Sequence, residues 1–165
     1  MEVFGISSSL LLLPFIYSLN PVNKFTVWKL LLFLLPISSF LCNHFVNHSQ
    51  FQACDHTIII ALCIVYFLHF KKYNVPVLIV ILYLVEMMLV KSTEITVILA
   101  FIALNLFAFT NFTKIELVIG MIAFSIAIVA KLSRDNYAKT YPLYTTIWHI
   151  CCAILLILAT RSVER

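Results

Sequence analysis

Seven strongly apolar runs, each closed off by a short polar stretch, leave this chain few ways to fold. They are Phe4–Leu19, Phe25–Val46, Thr57–Phe70, Val75–Val90, Ile95–Asn111, Ile115–Lys131 and Pro142–Thr160. Between them lie NPVNK, a histidine-rich stretch, KKYN, KSTE, NFTK and KLSRDNYAKTY. Each interruption combines Lys, Asn, Asp or Pro, residues that are costly in lipid or that break helices. A bilayer-crossing helix needs about 20 residues, with a range of roughly 17–25. Several runs lie near the short end, so six spans, with one run re-entrant or merged, is the fallback to seven. Hydrophobic residues make up 63% of the 165-residue chain and charged residues 11%. A soluble domain of this size leaves too much surface in water to hide so many apolar side chains. The expectation is therefore an all-α, polytopic integral membrane protein: a seven-helix transmembrane bundle forming one domain over residues 1–165.

Composition narrows the reading further. Glycine occurs twice, so close GxxxG-type helix packing is not the expected assembly principle. The five cysteines sit mostly within or beside apolar runs and suggest no disulfide framework. The net charge of +4 is spread over several loops, which points to membrane topology rather than nucleic-acid binding. The opening GISSSLLLLPF lacks a basic leader and a clear cleavage site, and reads as the first span rather than a signal peptide. With seven spans, the N-terminal side, here side A, carries Lys91, Lys131, Arg134 and Lys139. The opposite side B carries Lys24, Lys71, Lys72, Lys114, Arg161 and Arg165, an excess that favours side B as cytoplasmic.

The alternating direction of the runs brings chemistry together on side A. His44 ends the second run, Asp55 opens the third, and His149 lies about two turns into the seventh. Ionisable groups at bilayer depth are costly and mark functional sites. Neutral imidazole is the commonest zinc ligand, and a nearby carboxylate can take a proton from metal-bound water. His48 follows His44 by four residues and shares its face if the helix continues, as a further zinc ligand; otherwise it is solvated in the loop. His56 follows Asp55 directly and is expected to point elsewhere, and His69 to be interfacial. Glu86 is expected either to pair with Lys91 or to serve a proton or ion path. Ser38 and Ser39 lie about a turn before His44, within reach of backbone carbonyls or a bound water. Asn105 and Ser125 are expected to hydrogen-bond across helices. Trp28 and Trp148 fit an interfacial aromatic belt, with Tyr141, Tyr144 and Trp148 lining the side-A mouth of the last span.

These residues resemble the CREST superfamily of seven-span membrane proteins. It includes alkaline ceramidases, progestin and adiponectin receptor-like proteins, Per-type GPI-anchor remodelling proteins and myomaker-related proteins. The resemblance covers the whole chain in topology and two short motifs in sequence. His44 and Asp55 match the histidine and aspartate of the second and third spans, and TTIWHI, Thr145–Ile150, matches the seventh-span motif. The LLLP of the first run and the spacing from Ile119-Gly120 to His149 look like the myomaker-related branch. Two positions depart from the family: Thr145 replaces the first histidine of the seventh-span pair, and Phe40 stands where the serine usually does, with Ser39 beside it. The resemblance implies a zinc site on His44 and His149, with His48, His56 or Asp55 filling in for Thr145. It further implies Asp55 as base or water-orienter and Ser39 at a developing oxyanion.

The function expected on this basis is a membrane-embedded, zinc-dependent hydrolase of a lipid amide or ester. Its alternative is a non-catalytic fusion, remodelling or receptor-like protein on the same scaffold. In that case His44, Asp55 and His149 form a structural staple. A small transporter using Glu86 and the histidines is a third reading, disfavoured by the absence of repeat symmetry and glycine-broken half-helices. In the first two the partner is a membrane lipid, as substrate or ligand.

Overall fold

The structure, a computed structural model, describes residues 7–19, 26–44, 49–90, 93–136 and 141–165. Side chains are described for these except at 43–44, 49–52, 134–136 and 141–142. Among the described residues the fold is all-helical. A 3-10 turn at Ser9–Leu11 leads into α1 (Leu12–Ser18), followed by α2 (Thr26–His44), α3 (Ser49–His69) and α4 (Asn74–Leu89). Then come α5 (Glu94–Phe109), α6 (Lys114–Asn136) and α7 (Tyr141–Glu164). The seven α-helices follow the seven apolar runs, but the third begins earlier than its hydropathy suggests. The polar SQFQACDH that reads as loop forms the first two turns of α3.

Two helices are long and apolar enough to cross a membrane by length and composition, Lys114–Ser133 in α6 and Leu143–Glu164 in α7. The other apolar stretches with described side chains are shorter, among them Thr26–Cys42, Ala53–His69, Asn74–Leu89 and Glu94–Phe109. Large apolar side chains lie exposed around much of α4, including Val77, Leu78, Ile81, Leu84, Met88 and Leu89. On α6 the same holds for Ile115, Val118, Ile122, Ile126 and Val129.

Successive helices run in opposite directions, as the meeting of their ends shows. Trp28 near the start of α2 donates its indole N–H to Thr160 Oγ1 near the end of α7 at 3.0 Å. Tyr66, late in α3, shares a 2.7 Å hydrogen bond with Ser162. Trp28 is fully buried beside Tyr66, with ring centroids 5.8 Å apart, so it is a core residue and not part of an interfacial belt. An indole needs a partner for its one donor when buried, and Thr160 supplies it. Phe67, Phe70 and Phe107 complete this aromatic end of the core.

Glu116 fastens the same end. Its carboxylate accepts from Thr113 N–H and Oγ–H, both at 2.9 Å, while Thr113 Oγ accepts from Glu116 N–H at 3.4 Å. This reciprocal pair is a capping box for α6. The same carboxylate meets Arg161 at 3.3 Å and Arg165 at 2.7 Å, tying the start of α6 to the end of α7.

At the turn after α3, Lys71 N–H reaches Leu68 O at 3.0 Å and Lys72 N–H reaches Phe67 O at 2.9 Å. This is the Schellman arrangement, which requires a left-handed residue where glycine is usual. Lys71 takes that role at φ 57°. A side chain there costs about 1 kcal/mol. Lys71→Gly is therefore expected to raise the unfolding free energy by about 1 kcal/mol in detergent denaturation. An unchanged or lowered midpoint would contradict this reading of the turn.

Candidate functional site: a polar-ended cavity

The end of the bundle opposite Glu116 collects the polar residues. Ser38, near the end of α2, shares its one hydroxyl proton between Asp55 Oδ1 and Leu35 O of its own helix, each 3.0 Å from Oγ. Pro36 lies just upstream within α2, so its missing N–H leaves one rung of the local ladder unmade. Asp55 is thereby anchored to α2 by a hydroxyl.

His149 is held from both sides. Its Nδ1 lies 2.8 Å from Ser7 Oγ, and its Nε2 lies 3.3 Å from Ser39 Oγ. Ser39 Oγ in turn lies 3.3 Å from Ser8 Oγ. Ser7, Ser8, Ser39 and His149 are all buried, so the chain of hydroxyls and imidazole satisfies groups that water does not reach. A neutral imidazole has one donor and one acceptor nitrogen, and serine hydroxyls match either tautomer. The N-terminal segment, α2 and α7 meet at this histidine.

Glu86 solves a different problem. The carboxylate is buried at the end of α4 and accepts from Ile95 N–H at 2.9 Å and Thr96 N–H at 2.7 Å. These are first-turn amides of α5, which have no partner within their own helix. A carboxylate at a helix N-terminus also meets the favourable end of the helix dipole. Glu86 is thus a cap supplied by a neighbouring helix. Lys91, its proposed partner, lies outside the described residues. His56 Nδ1 meets Thr93 Oγ1 at 2.5 Å, so the starts of α3 and α5 are tied at the same level.

These pieces surround one cavity of about 440 Å³. Ser39, Asp55, His56, Glu94, Lys131 and His149 line it toward one end. Leu35, Leu62, Cys63, Leu104 and Leu156 line the rest. Trp148 is on its wall, packed against Phe101 with centroids 5.2 Å apart. Ser39, Asp55, Trp148 and His149 are therefore brought to one chamber. His56 joins them, although its position next to Asp55 suggested another direction. His69 is exposed at the far end of α3.

Three of the residues singled out in the sequence stand apart. His48 lies outside the described residues, and so does the His44 side chain, although its backbone ends α2. Thr145 is buried one turn before His149, and its Oγ1 has no hydrogen-bond partner among the described residues. Nor does it line the cavity. Among the described residues no three His, Cys, Asp or Glu side chains come together as a metal-binding group. Both nitrogens of His149 face serine hydroxyls, and a threonine hydroxyl is a poor substitute for imidazole on zinc. The described donors alone do not make a zinc site.

Sequence reasoning missed Ser7 and Ser8, because the serine cluster read only as part of a first span. It missed Glu116, although Thr113-x-x-Glu116 carries the capping-box spacing. Asn105 was expected to bond across helices, yet its amide N–H donates to Phe101 O of its own helix at 2.7 Å. No family model, no curated protein and no solved structure matches this chain.

Proposed function

We propose that this chain is a seven-span integral membrane protein, similar in plan to the CREST superfamily, that takes a single-chain membrane amphiphile into its central cavity. The observation that carries the reading is the cavity's polarity: titratable and hydroxyl groups gather at one end, with apolar walls beyond. Its volume falls in the range of small-molecule sites, roughly 300–1,000 Å³. The membrane assignment draws on the apolar surface around α4 and α6. Each such side chain left in water forgoes roughly 25 cal/mol for every Å² of apolar surface it exposes. Lipid contact removes that cost and gives a ligand a lateral route to the chamber. In this reading Asp55, His56 and Lys131 meet the polar headgroup, and the Ser7–His149–Ser39 chain holds the wall in shape.

Zinc-dependent hydrolysis is the second reading, favoured by the convergence of Ser39, Asp55 and His149 on one chamber. It requires ligands from His44 or His48. It predicts stoichiometric zinc in purified protein, lost in both His44→Ala and His149→Ala.

Binding of monoolein to detergent-purified protein tests the first reading. Ile59 lines the chamber about one turn below Asp55 and is only partly buried. Ile59→Trp fills the space and is expected to weaken monoolein binding at least about tenfold with little change in melting temperature. Equal binding by both folded proteins would place the ligand elsewhere.

A further inference from the structure

The charges at the polar end of the chamber are mixed in sign, and they come from different walls. Asp55 on α3 and Glu94 at the start of α5 supply two carboxylates, and Lys131, late in α6, supplies an ammonium. Helices α3 and α5 pack directly on each other, whereas α6 packs chiefly on α7. The two acids therefore share one wall, and the lysine stands on another. Asp55 and Lys131 are partly exposed and Glu94 is exposed, so a ligand in the chamber can reach all three. Cys152 of α7 lines the same space and lies within electrostatic reach of both Asp55 and Lys131, so the two charges border one part of it. The Ser38 hydroxyl takes one of the roughly four acceptor positions of the Asp55 carboxylate.

A headgroup that fits such an end carries both signs. An ammonium offers three N–H donors to the carboxylates of Asp55 and Glu94, and a phosphate accepts from the ammonium of Lys131. Charged groups at bilayer depth are costly, so a ligand that brings the complementary pair gains over one whose headgroup has hydroxyls only. A headgroup with phosphate alone brings a further negative charge toward Asp55 and Glu94, and like-charge repulsion opposes it. We infer that the chamber takes a zwitterionic single-chain phospholipid, with its ammonium on the Asp55–Glu94 wall and its phosphate toward Lys131. This rests on the amphiphile-binding reading above and names the ligand class for the same chamber. It makes Asp55, Glu94 and Lys131 specificity-determining residues, the acids for the ammonium and the lysine for the phosphate.

The test compares three lipids that share one oleoyl chain and differ by one piece of headgroup at a time. Monoolein has neither charge, oleoyl lysophosphatidic acid adds the phosphate, and oleoyl lysophosphatidylethanolamine adds the ammonium as well. Binding to the full-length protein is measured in one detergent. Wild type is expected to bind lysophosphatidylethanolamine about tenfold more tightly than either of the others. Lys131→Gln is expected to remove the preference over monoolein, and Asp55→Asn the preference over lysophosphatidic acid. Should Asp55→Asn fail to fold, Glu94→Gln, at an exposed position, carries the same test. Equal affinity of wild type for lysophosphatidylethanolamine and monoolein overturns the inference and leaves the amphiphile cavity intact, and so does tighter binding of lysophosphatidic acid. A preference unchanged by all three substitutions overturns the assignment to these residues. Failure to bind any of the three lipids removes the amphiphile reading itself, and the inference with it.

Discussion

Glu86→Ala is expected to lower the stability of the purified protein by about 3 kcal/mol, since hydrogen bonds to charged groups contribute about 1.5–3 kcal/mol each. The carboxylate bonds two first-turn amides of α5, at 2.9 and 2.7 Å, and it is buried. Alanine leaves both amides without a partner where water is scarce, and leaves a gap between α4 and α5. Glu86→Gln keeps one acceptor oxygen and the shape but loses the charge facing the helix dipole. Its cost is expected to be smaller, about 1–2 kcal/mol. Thermal unfolding in a single detergent, monitored by far-UV circular dichroism, checks both. If Glu86→Ala melts with the wild type, the cap contributes nothing. This role also bears on the transporter reading, which placed Glu86 on a proton or ion path.

His149→Ala is the second large effect. It opens a cavity in the wall of the chamber and removes the imidazole partner of Ser7 and of Ser39, both buried. Cavity formation and two unmade hydrogen bonds together lead us to expect a loss of about 3–5 kcal/mol. Alanine should therefore reduce abundance as well as melting temperature. His149→Gln retains a donor and an acceptor on a planar group and should recover about half of the loss. Asp55→Asn, which keeps an acceptor for Ser38 Oγ–H, should fold normally. A His149→Ala protein as stable as wild type would show that the serine contacts do not hold the wall.

The sequence shows the helices plainly and the site only in part. Seven apolar runs with polar stops are a strong signal for seven helices, because charged and helix-breaking residues mark where each one ends. Alternating direction then forces Asp55 and His149 to one end. Lateral neighbours are a different matter. That Ser38 rather than Ser39 meets Asp55, and Ser39 rather than Ser38 meets His149, depends on the rotation of α2 by one residue, about 100°. Hydropathy does not report that rotation. The polar start of α3 was unreadable for a related reason, since SQFQACDH is loop-like by composition yet helical by continuation from the apolar run behind it. Glu86 carried no signal of its role, because the amides it caps belong to another helix. Trp28 was misplaced because tryptophan near the end of an apolar run suits both an interface and a core, and only the Thr160 contact decides. By contrast, Thr113 and Glu116 were legible at capping-box spacing.

The central claim is that the chamber between α2, α3, α5, α6 and α7 holds one amphiphile. Native mass spectrometry of the full-length protein, released from detergent after addition of monoolein, tests it most directly. The account predicts one monoolein bound per chain at saturation, and a markedly smaller bound fraction for Ile59→Trp when the concentration is lowered to the wild-type midpoint. A spectrum of bare wild-type protein, or adducts of equal number on both proteins, would contradict it.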